Sequence, residues 1–426
     1  MYPRLLAFLL SLSFLHAAPP DLSQIRSQSD LEALISATSE AALKKALAEQ
    51  ATAILAAAQQ HPHVSAVIQT IESAPGSLIK VNTTPEPLKK AVGGELPLFD
   101  TLTQVNTGIL NGKAHVYRKA DEDPYDAAFL EHLGNIPSLE SVKIVATKIQ
   151  DSWLPPLLKL KNLESLSMEG RAVELPGKPA LGDPSLERLT ALTGLRKLTS
   201  LELAYFGDAT DAGLEQLAGL THLERFTFRG SPVKGHAFEK FKGWTKLKSI
   251  NFHSNSLDDE GFGHVCQNFP NLEFIKLWHS KLLTDASAEN LGKLTKLTGI
   301  EISASKATAG LLKHLRQVPL EYAALEYGVN APAADAIATM KSIPTLRRLK
   351  LGGPLTDPDL TELAGATQLR ELSLELSELT AERLPQLQAF SFLKSLTLTV
   401  RPKSLSNEVQ NHLKALLPNV EVKFAP

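Results

Sequence analysis

Thr210-Asp-Ala-Gly-Leu-Glu-Gln-Leu-Ala-Gly-Leu-Thr-His-Leu-Glu-Arg-Phe-Thr-Phe228 carries two hydrophobic periods in one short run. Leu214, Leu217 and Leu220 recur at the three-residue spacing of a short helix buried on one side. From Leu223 to Phe228 the chain reads Leu-Glu-Arg-Phe-Thr-Phe, ending in the apolar–polar alternation of a half-buried strand. A helix and a strand of this size cannot each find a separate core, so the unit must stack on others like itself.

Others like it are present. Aligned on Leu-x-x-Leu-x-Leu, copies start at Leu139, Leu163, Leu198, Leu223, Leu247, Leu272, Leu297, Leu320, Leu346, Leu369 and Leu393, and Val420-Glu-Val-Lys-Phe424 reads as a degenerate last strand. Most intervals are 23 to 26 residues. This pattern resembles the leucine-rich repeat family, specifically the bacterial, ribonuclease-inhibitor-like type of about 24 residues in which a Thr-Asp-x-Gly-Leu turn starts each helix. The resemblance implies an α/β solenoid, with a parallel sheet on the concave face and helices on the convex face. Leu272, Ile275 and Leu277 are then expected inside, stacked on their equivalents in neighbouring repeats. Thr284-Asp285 and Thr356-Asp357-Pro358 suit helix starts, supplying caps for exposed N–H groups. The family's usual Asn after the strand stands plainly only at Asn255; Ser231, Ser280, Ser305 and Ser377 take its place elsewhere, with bonds to the same loop backbone expected. Leu163 to Leu198 is a longer interval, and its Pro- and Gly-rich stretch from Arg171 to Pro184 is expected to leave the solenoid as a loop.

The 426 residues are long for one compact core, a limit that a repeat array escapes. Lys and Arg total 44 against 46 Asp and Glu, which leaves no basic excess for a phosphate backbone and argues against nucleic acid. The one cysteine, Cys266, excludes an internal disulfide framework and a Cys-based zinc cluster.

Four segments are expected. Residues 1–18 read as a signal peptide, with Arg4 ahead of the apolar run Leu5 to Leu15 and Ala17-Ala18 before Pro19-Pro20; the run is too short to span a membrane. Export to the periplasm or the medium follows, and no later segment is apolar enough to cross a bilayer. Residues 19–73 read as an α-helical cap region, with Ser39 as an N-cap, a stripe of Leu43, Leu47, Ala51, Ile54 and Leu55, and another short helix after Pro62. His61-Pro-His63 reads as solvated loop histidines rather than a metal pair. Residues 74–127 read as an irregular linking segment with short strands or turns, and 128–426 as the leucine-rich repeat domain.

No residue pattern here specifies a reaction. Phosphate-loop, Gly-x-Ser-x-Gly and His-Glu-x-x-His motifs are absent from the sequence, and no cofactor or metal is called for. Cys266 and His264, two residues apart, point to different sides of a helix, and Cys266 reads as a buried thiol. Asp258-Asp-Glu260 reads as a helix start. What remains is the outward face of the sheet, on which Tyr205, Phe206, Arg225, Arg229, Asn251, His253, Phe274, Lys276, Trp278, His279, Glu301, Tyr322, Glu326, Tyr327, Arg348 and Lys350 are expected to form a patch of roughly 30 Å. Tyr205, Arg225, Arg229, His253, Phe274, Lys276, Trp278, Tyr322, Glu326 and Arg348 are the candidate binding residues. Clustered Trp, Tyr and Arg suit a protein or peptide partner. Glycan recognition, or an envelope scaffold with no dedicated ligand, are the alternatives.

Overall fold

Every leucine that opens a repeat in the sequence precedes a strand by two residues. The computed structural model describes residues 20–74, 76–110, 113–114, 123–146, 153–170, 189–206, 209–303, 306, 309–326, 333–352, 355–376, 379, 383–400 and 405–425. The expected signal peptide, the 171–184 insertion, Ser305, Tyr327 and Ser377 lie outside them. The main sheet has 14 strands in sequence order. These are β1 (Ser77–Asn82), β2 (Asp100–Asn106), β3 (Ser141–Ala146), β4 (Ser165–Gly170), β5 (Ser200–Ala204), β6 (Arg225–Arg229) and β7 (Ser249–His253), then β8 (Phe274–Trp278), β9 (Gly299–Ser303), β10 (Tyr322–Glu326), β11 (Arg348–Gly352), β12 (Glu371–Leu376), β13 (Ser395–Val400) and β14 (Glu421–Ala425). All neighbours pair in parallel except β1, which runs antiparallel to β2. The segment 74–127 therefore feeds two strands into the sheet.

Backbone bonding repeats with the sequence. One carbonyl just ahead of each strand receives two N–H groups from the next repeat: Lys248 and Ser249 donate to Glu224 at 2.9 and 3.1 Å, and Glu273 and Phe274 to Lys248 at 2.8 and 3.0 Å. At the other end of the strands, Tyr205, Gly230, Ser254 and His279 hold positive φ of 59°, 63°, 57° and 54°. Each donates its N–H to the last strand carbonyl of the following repeat, at 2.7 to 3.0 Å. Left-handed backbone costs an L-residue roughly 1–2 kcal/mol, and this extra ladder bond opposes that cost at the three non-glycine positions.

The Thr-Asp turn does more than cap its own helix. Thr210 accepts from Gly213 N–H at 3.0 Å and Asp258 from Gly261 N–H at 3.0 Å, which are ordinary N-caps. Where an aspartate begins the helical segment, it instead reaches forward. Asp211 accepts from the N–H groups of Lys234, Gly235 and Ala237 at 3.0, 2.9 and 3.1 Å, Asp259 from Thr284 at 2.9 Å, and Asp285 from Leu311 at 3.1 Å. Asp285 and Asp357, expected as caps, thus bond across repeats, Asp357 to Arg383 Nε at 2.8 Å. Asn255 is buried and also crosses: its Nδ2 donates to Phe228 O at 2.7 Å and its Oδ1 accepts from Ser231 N–H at 3.3 Å. Ser231 Oγ accepts from Val233 N–H at 3.4 Å, but Ser280 Oγ is buried with no hydrogen-bond partner. A serine is too short to reach the preceding carbonyl as Asn255 does.

The interior of the middle repeats is aromatic. Trp244 is fully buried, 4.6 Å from Phe241, 5.4 Å from Phe226 and 5.7 Å from Phe269 between ring centroids, and its indole N–H donates to Ala218 O at 3.0 Å. Cys266 is buried in the same core, and burial pushes its thiol pKa far up, as an unreactive structural residue requires.

Ahead of the sheet lie α1 (Gln28–Ala37), α2 (Ala41–Glu49) and α3 (Ala51–Ser73). Two expectations change here. The α2 N-cap is Glu40, without a side-chain bond, rather than Ser39. Pro62 does not separate two helices, because α3 runs through it. An internal proline costs about 3 kcal/mol. The helix persists because both halves are anchored: Ile54 and Ala58 pack in a small N-terminal core with Leu31, Leu47 and Phe99, while Val64, Val67 and Ile71 pack in the solenoid core. His61 and His63 are consequently helical, not loop residues, and His63 Nδ1 lies 2.9 Å from His132 Nδ1 on the helix Ala127–Gly134.

Candidate binding site on the concave sheet face

Strand register lines up the outward residues in rows that cross the sheet. The first row contains Ser200, Arg225, Ser249, Phe274, Gly299, Tyr322 and Arg348. The second contains Lys143, Ser167, Glu202, Thr227, Asn251, Lys276, Glu301, Ala324 and Lys350. The third holds Glu169, Ala204, Arg229, His253, Trp278, Ser303 and Glu326. Ile275 and Leu277 are fully buried while Phe274, Lys276 and Trp278 are half-buried, as the alternation requires.

One expected surface residue is not on this face. Phe206 is buried at 1% exposure. β5 ends at Ala204, and the left-handed turn at Tyr205 sends the following side chain back into the core. Tyr205 itself stays half-buried, 5.7 Å under the Arg229 guanidinium. Arg225 is exposed, and the side chain of Glu326 is outside the description.

The structure brings the aromatic half together around a glycine. Phe274 and Tyr322 sit on either side of Gly299, with ring centroids 6.3 Å apart and planes within 6°. A Cβ on Gly299 would stand 2.6 Å from the Phe274 ring, so only glycine leaves the floor open. Arg348 lies 5.0 Å from the Tyr322 ring centre, and Lys276 Nζ 3.9 Å from that of Trp278. Lys276 also pairs with Glu301 at 2.9 Å, and the Tyr322 hydroxyl donates to Glu301 at 3.0 Å. Burial, with the Glu301 carboxylate adding to it, pushes the Tyr322 pKa up to about 12, so the phenol stays a donor.

The other half is ionic. Arg229 Nη2 lies 2.8 Å from Glu202 and 3.7 Å from the buried Glu169; Lys143 is 3.8 Å from Glu202, and Ser167 donates to Glu202 at 2.8 Å. The two halves meet at a cavity of about 380 Å³ lined by Lys143, Glu169, Glu202, Arg229, Asn251, His253, Lys276 and Trp278. Lys143, Glu169 and Glu202 were not among the sequence candidates. They occupy the same repeat positions as Lys276 and Trp278, which was the available signal.

His253 stacks on His279 at 5.2 Å and meets Trp278 edge-on at 5.9 Å. Burial, followed by the nearby His279, Arg229 and Lys276 charges, holds its pKa below the ordinary 6.5. Burial and His132 act on His63 in the same direction. A histidine held neutral in the fold takes up its proton more readily in the unfolded chain, so stability is present above about pH 6.5 and falls as pH drops through and below it. The urea midpoint is therefore expected to fall between about pH 7.5 and 5.5, and His253→Gln to shrink that fall without removing it, since His63 remains. An undiminished fall in the variant would exclude His253 as a source.

Among the described residues there is no group of three His, Cys, Asp or Glu placed to hold a metal ion, and no helix long and apolar enough to cross a membrane. Repeats of near-constant length, each giving one strand to a continuous parallel sheet and closing its core with a short helix or turn, define a leucine-rich repeat solenoid. An internalin (inlF) from Listeria monocytogenes is similar at 19% identity, over 76% of this chain and 87% of that one, with a TM-score of 0.44. A leucine-rich repeat protein from Leptospira interrogans is similar at 14% identity, over 69% and 86%, with a TM-score of 0.33. No protein-family model and no curated protein matches the chain.

Proposed function

We propose that this is an exported, non-enzymatic leucine-rich repeat protein that binds a protein or peptide partner on its concave sheet face. The observation that carries the reading is the unbroken surface from Arg229 to Arg348, in which ring faces and paired charges alternate across six strands. Trp, Tyr and Arg held rigid near the middle of a face are the residues that concentrate interface energy. Their rigidity comes from the bonds among them, so little side-chain freedom remains to be lost on binding. The apolar run at Leu5 to Leu15 supports export.

Lys276 over Trp278 and Arg348 over Tyr322 occupy ring faces that a sugar would need, which favours a polypeptide over a glycan. Affinity capture from the envelope and medium of the source organism tests the reading. The parent is expected to retain a partner that Trp278→Ala weakens by about 2 kcal/mol, roughly thirtyfold, with unchanged circular dichroism. Identical capture by parent and a folded Phe274→Ala/Trp278→Ala/Tyr322→Ala variant would point to the scaffold reading. A Trp fluorescence response to oligosaccharides alone would point to the glycan one.

A further inference from the structure

The ionic groups of the concave cavity are already answered within the protein. Arg229 faces Glu202 and Glu169, Lys143 faces Glu202, and Lys276 faces Glu301. Apart from the Glu169 carboxylate, which has its ion pair with Arg229, two buried polar atoms on its lining residues have no hydrogen-bond partner: Arg229 Nε, a donor, and Asn251 Oδ1, an acceptor. They come from adjacent strands, since Thr227 is in register with Asn251 and Arg229 with His253. Buried groups of this kind are normally satisfied, and leaving one unpaired costs about 1–3 kcal/mol.

We propose that the cavity receives a carboxamide, the side chain of an Asn or Gln in an extended segment of the partner, an inference that rests on the protein-binding reading above. A carboxamide oxygen accepts from Arg229 Nε while its nitrogen donates to Asn251 Oδ1. A carboxylate has no donor for Asn251 Oδ1, and an ammonium has no acceptor for Arg229 Nε. Either would also bring a lone charge into a set that is already balanced, with no counter-ion to offset its desolvation. The rest of the segment has a place to go. Four strand spacings separate β6 from β10, about 19 Å, which is spanned by about six extended residues and ends on the Phe274–Tyr322 rings. The ligand is then an Asn or Gln with an apolar residue about six positions away.

The Arg229 Nε–H resonance in a ¹H–¹⁵N correlation spectrum reads the cavity directly. Titration with acetamide is expected to shift it saturably, and acetate or methylammonium to need about tenfold higher concentration for the same shift. Asn251→Leu, a substitution on the outward face that also removes the unpaired acceptor, should abolish the acetamide response without lowering the unfolding midpoint. An acetate response as strong as that of acetamide, or an acetamide response that survives Asn251→Leu, would overturn the proposal. Panning a phage-displayed random peptide library against the parent is the second arm. Enrichment of Asn or Gln with an apolar residue about six positions away, lost on Asn251→Leu, supports it. Peptides enriched without Asn or Gln and indifferent to Asn251→Leu overturn the carboxamide inference and leave protein binding standing. An acetamide response with no peptide enriched overturns the protein reading, and the inference with it.

Discussion

Trp244→Ala is expected to lower the unfolding free energy by about 3–5 kcal/mol. The indole is fully buried between Phe226 and Phe241 of its own repeat and Phe269 of the next. Truncation removes apolar burial, ring contacts and one side of a packed cavity together. It also leaves Ala218 O without the 3.0 Å bond from the indole nitrogen. Trp244→Phe separates these contributions, since it keeps a ring and loses the donor, and about 1–2 kcal/mol is expected from it. Urea unfolding followed by circular dichroism measures both. A loss below about 1 kcal/mol for Trp244→Ala would mean that the rings close over the gap, and that the repeats are less tightly coupled than their packing shows.

Gly261→Ala is expected to cost about 3 kcal/mol without removing any contact. A Cβ at this position would stand 2.1 Å from Lys234 O and 2.9 Å from the Gly235 backbone. Both obstacles are main chain, so no rotamer change relieves them. The strain falls at the start of the helix Asp259–Asn268, beside the Asp258 cap and the Asp259 bond to the next repeat, and pushing this turn outward loosens both. Gly263→Ala in the same helix, whose Cβ would meet only the end of the Asn290 side chain at 3.3 Å, is the control and should stay within about 1 kcal/mol of the parent. Equal effects at the two sites would rule out the close approach as the reason for Gly261.

The strands were legible because the repeat multiplies a weak local signal: Leu272, Ile275 and Leu277 say little alone, but the same spacing recurs in every repeat. Register followed from the same leucines, which is why Phe274, Lys276 and Trp278 fall on one face as expected. Phe206 departs from the expected face because strand alternation, extended two residues past Ala204, is broken by the left-handed turn at Tyr205. Local propensity alone makes Pro62 a break, and the two cores that hold its helix together are assembled from distant parts of the chain. The His63–His132 contact joins residues 69 apart and has no local trace. Lys143, Glu169 and Glu202 were visible as charges in the right positions. Their role depends on which charge stands beside which, and that is a property of strand register and depth, not of composition.

The forward-reaching aspartates give the molecule a grammar of growth. Asp211, Asp259 and Asp285 each offer a carboxylate to the loop about one period later in the chain, and similar loops receive them. A whole repeat duplicated within the array brings its own carboxylate for the unit ahead and its own loop for the carboxylate behind. No junction has to be rewritten. The chain is free to lengthen or shorten by complete units through genetic duplication and loss, while fractional changes are confined to places where they can bulge out of the stack. Its length is in this sense an adjustable character of the protein, and the span of its concave sheet face changes with it.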